Sequence, residues 1–317
     1  MEFRTQIPWN KQTHNQIDYN ADILMFGSCF SENIGNKLSY FKFPVIVNPF
    51  GILFHPKAIE NLILNAINKK VYTENDIFFH NERWHCFDTH SKLSNPSKGN
   101  LIASLNSNIK LTNDQIGKST HIIITLGTAW MYRFIETNTI VANCHKVSQK
   151  KFLKEILSAD EISESLASII TLIKSINKNA SIILTVSPVR HLKDGFIENQ
   201  LSKSRLITAI HNVIDKRHNV SYFPSYEIMM DELRDYRFYA EDMLHPNQMA
   251  INYIWERFSK TWISDTAKET MIEVENIRKG LAHKPFNEHS EQHQQFLKNL
   301  EKKIISLQKY IPSLTFD

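Results

Sequence analysis

The sequence predicts an α/β protein with a mostly parallel, five-stranded sheet, and three observations support this fold class. Five short apolar runs alternate with stretches in which apolar residues recur at helical spacing. The chain has 317 residues and is 42% hydrophobic, so it is long enough to bury a large core. It contains only eight glycines, which disfavours a loop-rich all-β chain. Because strands that alternate with helices pair in parallel, we expect helices on both faces of the sheet.

The five predicted strands are short, rich in β-branched or aromatic residues, and close to turn signals. They cover residues 23–26, 45–47, 122–126, 182–186 and 220–223. The predicted helices cover residues 31–38, 58–67, 161–176 and 201–214. In the second of these helices, Ile59, Leu62, Ile63 and Ala66 fall on one face, which is the spacing of a helix that packs on a sheet.

The chain divides into an α/β domain over residues 1–262 and a helical extension over residues 263–317. Residues 73–100 interrupt the strand–helix alternation and are predicted to form an insertion or a long loop, because they are rich in aromatic and polar residues. The extension is rich in Lys, Glu and Gln. Its apolar residues at helical spacing are Phe296, Leu297, Leu300, Ile304 and Leu307. We expect this extension to pack on the domain or on a partner subunit.

Composition excludes several classes of function. The net charge is +4 and the 37 basic residues are spread along the chain, which gives no reason to expect nucleic-acid or membrane binding. No apolar stretch approaches the ~20 residues that span a bilayer, and the N-terminus lacks the apolar region of a secretory signal. Three cysteines, Cys29, Cys86 and Cys144, do not make a disulfide framework. We therefore expect a soluble protein in the cytoplasm.

The first candidate for chemistry is Ser28, which follows the predicted strand 23–26 and a glycine. A serine at this junction lies at the carboxyl edge of the sheet, beside a helix N-terminus that stabilises negative charge. Cys29 is the rival nucleophile, and neighbouring side chains on an extended segment point to opposite sides. Because a free cysteine is more often a small buried hydrophobe, the pattern favours Ser28.

The second candidate is the pair Asp242 and His245, which are three residues apart before Pro246. A serine hydroxyl needs an imidazole to remove its proton, and the imidazole needs a carboxylate to orient it. The alternative interpretation is that Asp242 caps a turn and His245 is a surface residue. Combined with Ser28 near the start of the chain, the pair predicts a Ser–His–Asp triad in which Ser28 is the nucleophile and His245 the general base.

Five ordered motifs resemble those of the GSCFA-domain family, which is placed in the SGNH (GDSL-like) hydrolase superfamily. The motifs lie at residues 27–30, 48–52, 126–130, 187–191 and 242–246, so the resemblance covers about residues 20–260. It implies a three-layer α/β/α, flavodoxin-like domain that hydrolyses esters through an acyl-enzyme and needs no cofactor. The expected substrate is a small-molecule or carbohydrate ester. Nothing in the sequence predicts the oligomeric state.

The resemblance also implies an oxyanion hole, in which preorganised donors stabilise the charge that develops on the substrate oxygen. The expected donors are the backbone N–H groups of Ser28 and Gly51. The usual third donor is an asparagine in a Gly-x-Asn motif, where this chain has Gly127, Thr128 and Ala129. Thr128 or Asn143 is the expected replacement.

Four further residues are candidates for substrate binding: Asn48, His90, Arg190 and His191. Arg190 and His191 follow the fourth strand and should lie at the same edge of the sheet. Arg190 could bind a carboxylate or phosphate of a substrate, or form a salt bridge that closes its loop.

Three other patterns are weaker. The run 117–120 resembles the end of a P-loop, but it precedes a strand instead of following one. Tyr236, Phe238 and Tyr239 are better explained as core packing than as a sugar platform. A metal site is a third possibility, without any recognised ligand spacing. Its candidate ligands are His80, His85, Cys86, His90, Cys144 and His145. The functional alternatives are thus a non-catalytic binding or scaffold protein and a metal-dependent hydrolase.

Overall fold

The computed structural model describes residues 5–312 and 314–316. Within these residues the strands are β1 (Ile23–Gly27), β2 (Val45–Val47), β3 (Phe78–His80), β4 (Arg83–His85), β5 (His121–Leu126), β6 (Trp130–Phe134), β7 (Thr139–Val141), β8 (Phe152–Ile156), β9 (Ser181–Val186) and β10 (Val220–Phe223). The α-helices are α1 (Cys29–Tyr40), α2 (Pro56–Ile67), α3 (Lys98–Lys118), α4 (Ala159–Ile176), α5 (Phe196–Val213), α6 (Ser225–Glu227), α7 (Gln248–Trp262), α8 (Asp265–Leu281) and α9 (Glu291–Tyr310). A π-helical turn, Ile228–Glu232, continues α6.

The central sheet contains five parallel strands in the order β2-β1-β5-β9-β10. In chain order this is the 2-1-3-4-5 arrangement of flavodoxin-like proteins, and the strand order reverses between β1 and β5. The expected five-stranded parallel sheet is confirmed. Ligands of such sheets bind beyond the carboxyl ends of the strands, at the reversal.

The two faces of the sheet bury different residues because side chains alternate along each strand. Leu24 and Phe26 of β1 belong to the core cluster that includes buried residues of α2, α3, α4 and α5. Ile23 and Met25 belong to a second cluster that includes residues of α1, α7, α8 and α9. The domain is therefore a three-layer α/β/α sandwich, as expected.

The four predicted helices also form, but their observed first and last residues differ from the predicted ones. The largest difference is α5, which begins at Phe196, five residues before the prediction. Phe196 and Ile197, the apolar residues of its first turn, are exposed. They do not continue the buried face of the rest of the helix, so the apolar periodicity did not extend to them. Gly195 precedes the helix with a φ of 109°.

Two features between the sheet strands were not predicted. The insertion 73–100 contains the antiparallel hairpin β3–β4 and leads into α3, a helix of 21 residues. After β5 the chain forms a separate antiparallel sheet in the order β7-β6-β8. Its small apolar cluster contains Phe134, Val141 and Phe152.

The C-terminal helices pack on the second core cluster. The buried side chains of α8 are Ala267, Met271, Val274 and Ile277, and those of α9 are Leu300 and Leu307. All six belong to the cluster that covers the α1 side of the sheet. Among the described residues, no helix is long and apolar enough to cross a membrane.

Candidate active site

A cavity of about 460 Å³ opens at the carboxyl ends of β1, β5 and β9. Ser28, Cys29, Thr128, His191 and His245 are among the residues that line it. The residues come from distant parts of the chain because the parallel strands end at one edge. The cavity lies at the reversal of strand order, where this fold binds ligands.

The turn that presents Ser28 requires glycine before it. Gly27 has a φ of 137°, and a Cβ atom there would lie 2.2 Å from the carbonyl oxygen of Thr125. Ser28 is the N-cap of α1, and its Oγ accepts a hydrogen bond from the Phe30 N–H at 3.2 Å. The residue is only 2% exposed. Its hydroxyl is therefore fixed at the positive end of a 12-residue helix.

Cys29 is the first residue of α1 and is partly buried at the same cavity. Burial raises the pKa of its thiol, and the charge of Glu32 raises the pKa further. The charge of Lys203 and the N–H of Phe30 act in the opposite direction. Because the thiolate is the nucleophile in cysteine chemistry, a raised pKa disfavours Cys29 for that role.

Asp242 and His245 form a hydrogen-bonded pair. Asp242 Oδ2 lies 2.6 Å from His245 Nδ1, and Asp242 Oδ1 accepts the backbone N–H groups of Leu244 and His245 at 2.9 and 3.0 Å. These hydrogen bonds, first the one from the His245 backbone, lower the pKa of Asp242 to about 2. An ionised carboxylate only accepts hydrogen bonds, so Nδ1 carries a proton and Nε2 of the neutral ring is the basic atom.

His245 Nε2 makes no hydrogen bond within residues 5–312 and 314–316. In particular, no hydrogen bond joins it to Ser28, whose Oγ is bonded to the Phe30 N–H. Both side chains nevertheless line one cavity. The structure thus places Ser28 and the Asp242–His245 pair at one cavity, but Ser28 and His245 do not form a hydrogen bond.

The two expected backbone donors of the oxyanion hole, the N–H groups of Ser28 and Gly51, each donate a hydrogen bond within the protein. The Ser28 N–H donates to the Thr125 carbonyl at 3.1 Å, because the end of β1 still pairs with β5. The Gly51 N–H donates to the Asn48 carbonyl at 2.8 Å, because residues 48–51 form a tight turn. Neither N–H is available to a substrate oxygen in this conformation.

The oxygen atoms of the two expected replacements, Thr128 and Asn143, take part in local hydrogen bonds. Thr128 lines the cavity, but its Oγ1 lies 3.0 Å from Ser202 Oγ and accepts the Trp130 N–H at 3.1 Å. Asn143 Oδ1 accepts the His145 N–H at 2.8 Å, so its side chain closes a local turn. Thr128 lines the cavity, whereas Asn143 is not among its lining residues, and a donor role for either side chain stays a prediction.

Of the predicted substrate-binding residues, Asn48 supports the turn before Ser28 and His90 lines the cavity. Asn48 is 8% exposed, and its Oδ1 accepts the Gly27 N–H at 2.9 Å. Its Nδ2 is buried and has no hydrogen-bond partner among the described residues. His90 lines the cavity, and its Nδ1 accepts the Lys92 N–H at 3.3 Å. The buried amide of Asn48 thus accepts the Gly27 N–H and keeps its own Nδ2 donor unused.

His191 lines the cavity next to Gly127. Its Nε2 is buried and finds no partner in the described part of the chain, and its ring centroid lies 5.6 Å from that of Phe54. Burial, followed by the charges of Lys203 and His245, lowers the pKa of His191 to about 3. The ring is therefore neutral at physiological pH, and Nε2 can exchange a hydrogen bond with a ligand that reaches it.

Lys203 is the main residue that sequence reasoning missed. It is fully buried, and its Nζ donates to the carbonyl oxygens of Gly127 and Ser187 at 2.7 Å each. Burial lowers its pKa to about 7. A signal was present, since Asn199, Ser202 and Lys203 lie on the α5 face that continues into buried Leu206. Polar residues on a buried helix face indicate a polar site beneath it.

The weaker patterns have structural explanations. No group of three or more His, Cys, Asp or Glu side chains among the described residues could hold a metal ion. His85 and His145 instead belong to an aromatic cluster, with ring centroids 4.8 Å apart and ring planes tilted by 46°. The P-loop-like run 117–120 connects α3 to β5. Phe238 and Tyr239 pack against the second core cluster, as expected, whereas Tyr236 is exposed. The rings of Tyr236 and Tyr239 also lie beside Arg190.

Fold and site together define an α/β protein with a flavodoxin-like strand order and with Ser, His and Asp side chains at the carboxyl edge of its sheet. The chain belongs to the GSCFA family, whose model matches residues 22–258. The C-terminal domain of GSCFA domain proteins matches residues 274–317. These matches confirm the resemblance to the GSCFA family that the five motifs indicated. A search of the curated proteins found no match.

Proposed function

We propose that this protein is an SGNH-type serine hydrolase that cleaves an acyl ester through a covalent intermediate on Ser28. The observation that carries the proposal is the Asp242–His245 pair. The 2.6 Å contact between Asp242 Oδ2 and His245 Nδ1 orients the imidazole. The Nε2 atom of His245 has no hydrogen-bond partner in the described chain, and His245 lines the same cavity as Ser28. A neutral imidazole held by a carboxylate is the base that a serine nucleophile needs.

The reaction would proceed in two halves. His245 Nε2 takes the proton of Ser28 Oγ while Oγ attacks the acyl carbon, which forms a tetrahedral oxyanion. The ester C–O bond then breaks, and the alcohol leaves with the proton from His245. Water attacks the acyl-enzyme with the same base, and the Ser28 hydroxyl returns as the carboxylic acid departs.

The chain must rearrange slightly for this chemistry. Ser28 Oγ has to reach His245 Nε2, since no hydrogen bond joins them before substrate binds. Ser28 lies at the N-terminus of α1, whose dipole favours the oxyanion. His191 Nε2 has no partner in the described chain and belongs to a residue that lines the cavity, so it is the side-chain group best suited to supply a further donor.

We expect the substrate to be an ester of a carbohydrate or a small metabolite, and the mechanism uses no cofactor. A cytoplasmic location stays a prediction that rests on the three cysteines, which are all unpaired.

A fluorophosphonate probe, which labels activated serines, tests the proposal. Wild type should be labelled at Ser28, and Ser28→Ala and His245→Ala should not be labelled. Cys29→Ala is the matched control, because Cys29 is the neighbouring nucleophile in the same cavity, and it should keep most of the labelling. Labelling that survives in Ser28→Ala and disappears in Cys29→Ala would transfer the role to Cys29. A wild type that resists labelling contradicts the proposal.

A non-catalytic binding protein is the second candidate, and one observation favours it. The N–H groups of Ser28 and Gly51 are both hydrogen-bonded within the protein. Removing a single oxyanion donor costs a serine hydrolase about 10²–10³ in kcat. A binding protein would retain the cavity, bind an ester without turnover, and remain unlabelled by the probe.

A further inference from the structure

Arg190 is held at the rim of the candidate active site by three aromatic rings. Its guanidinium carbon lies 4.9 Å from the ring centroid of Tyr239, 5.6 Å from that of Tyr236 and 6.0 Å from that of Phe196. The residue lines both the 460 Å³ cavity and a neighbouring cavity of about 190 Å³. Aromatic faces orient a guanidinium but leave its N–H edges free to donate.

Arg190 is also tied to the loop that carries the candidate base. Its backbone N–H donates to the Leu244 carbonyl at 3.0 Å, and its Nη1 donates to the Met243 carbonyl at 3.4 Å. The guanidinium thereby contacts Met243, two positions before His245 in the chain, and Arg190 and His245 line the same cavity. A group bound by Arg190 would lie next to the reacting centre.

The salt bridge that could have explained Arg190 does not form. Within the described chain, no carboxylate lies within 4.0 Å of its guanidinium, although 17 other ion pairs are present there. A guanidinium has five N–H donors, and the Met243 carbonyl accepts only one of them. The planar fork that suits a carboxylate or phosphate is therefore largely unused.

The nearby carboxylates have other partners. Asp194, four residues after Arg190, forms an ion pair with Lys154. Asp235, which lines the smaller cavity with Arg190, pairs with Arg237, and Asp242 pairs with His245. These carboxylates therefore do not occupy the guanidinium of Arg190.

We propose that Arg190 binds an anionic oxygen group, a carboxylate or a phosphate, on the substrate of this site. The reaction would then act on a charged ester, with the anion beside the ester bond that Ser28 attacks. The catalytic half of this statement rests on the proposed hydrolase function. The binding half does not, and the two can be tested separately.

Calorimetric titration with non-ester ligands tests the binding half. Succinamate carries one carboxylate, succinamide is its neutral analogue, and inorganic phosphate is the other anion. We expect wild type to bind at least one anion more tightly than succinamide, and Arg190→Gln to weaken that binding about tenfold or more. Tighter binding of succinamate identifies a carboxylate as the group, and tighter binding of phosphate identifies a phosphate.

Lys193→Gln is the matched control, because Lys193 is an exposed cation at the same rim and is not part of the proposed anion-binding group. It should change anion binding by less than about twofold, since an exposed charge is screened by solvent. Equal losses in Lys193→Gln and Arg190→Gln would overturn the proposal, as would an anion affinity that Arg190→Gln leaves unchanged or that wild type lacks. If Arg190→Gln does not fold, Arg190→Lys keeps the charge without the fork, and unchanged binding in that variant would also overturn it.

The catalytic half uses 4-nitrophenyl hemisuccinate and the neutral 4-nitrophenyl butyrate. Arg190→Gln should lower kcat/KM about tenfold or more for the hemisuccinate and little for the butyrate. An equal fall for both esters would mean that Arg190 only holds the base loop, and it would overturn the substrate assignment. Turnover of neither ester by wild type, together with absent serine labelling, would reject the hydrolase function while the titration still decides the anion site.

Discussion

The Nζ atom of Lys203 lies 2.7 Å from the carbonyl oxygen of Gly127. A second bond of 2.7 Å reaches the carbonyl of Ser187, so one buried side chain joins the segments that follow β5 and β9. Both segments line the cavity that contains Ser28 and His245. A lysine from α5 therefore sets the spacing of two loops that carry no base or nucleophile themselves.

Lys203 should make the stability of the protein depend on pH. Burial lowers its pKa from 10.5 to about 7, so between these values the unfolded chain binds more protons than the native one. Stability must rise with pH across this window, because the penalty for a buried charge is complete below pH 7 and disappears above the unfolded pKa. Urea unfolding at several pH values should show a free energy of unfolding that rises with pH in wild type and does not rise in Lys203→Met. Lys178→Met, at an exposed site, should retain the rise, and identical profiles for wild type and Lys203→Met would contradict the assignment.

Ser28 should contribute to stability as well as to catalysis. Its Oγ caps α1, so Ser28→Ala should cost about 1 kcal/mol of unfolding free energy. Ser264 provides a matched control, because it caps α8 through the Ala267 N–H at 3.2 Å, outside the cavity. Ser264→Ala should lose a similar free energy and keep its esterase activity, while Ser28→Ala should lose both. Equal activities in the two variants would remove Ser28 from the mechanism.

Asp242→Asn should lower kcat by about 10³–10⁴ and leave folding nearly intact, because the amide no longer selects the required tautomer of His245. Asp215 and His218 form a second exposed Asp–His pair with the same three-residue spacing, at 2.8 Å. Asp215→Asn should leave kcat unchanged. Since the pKa of Asp242 is about 2, its carboxylate stays ionised and the loss should be uniform from roughly pH 4 to 9. A similar kcat for Asp242→Asn and wild type would reject the dyad.

Gly127→Ala should damage the site through a steric clash. A Cβ atom there would lie 2.9 Å from Phe54 Cβ and 3.2 Å from His191 Nε2. We expect a loss of about 1–3 kcal/mol in unfolding free energy, together with lower esterase activity. Gly99 lies in α3 with no atom within 4 Å of the same position, so Gly99→Ala should be neutral or stabilising. Thermal unfolding of the two variants measures the difference, and a harmless Gly127→Ala would show that Phe54 and His191 move freely.

The central sheet could be predicted because its signals are local. Each strand is a short apolar run, and the strands differ from the prediction by no more than one residue at either end. The small sheet β7-β6-β8 gave no such signal, because charged residues such as Arg133 and Glu155 alternate with its few buried ones. Its stability comes from pairing between strands up to 26 residues apart, which periodicity within one strand does not reveal.

The candidate site was predictable in its residue types and less so in its hydrogen bonds. Ser28, Asp242 and His245 could be found from their order and from the turns around them. The state of the expected oxyanion-hole donors could not be predicted, because whether a backbone N–H is free depends on the carbonyl groups that the fold brings near it. The Ser28 N–H is engaged by the neighbouring strand, and the Gly51 N–H by the carbonyl of Asn48 in a local turn. Lys203 was missed because a buried lysine is rare and its carbonyl partners lie 76 and 16 residues away.

The loop that carries Asp242 and His245 closes on itself. The Ala240 N–H donates to the His245 carbonyl at 2.7 Å, and the Met243 N–H donates to the Ala240 carbonyl at 2.9 Å. The Asp242 carboxylate and the His245 imidazole both belong to this six-residue turn. A displacement of the turn would therefore move the two side chains together. Substitutions elsewhere on the cavity rim should therefore change the shape of the opening while the 2.6 Å contact between Asp242 and His245 stays intact.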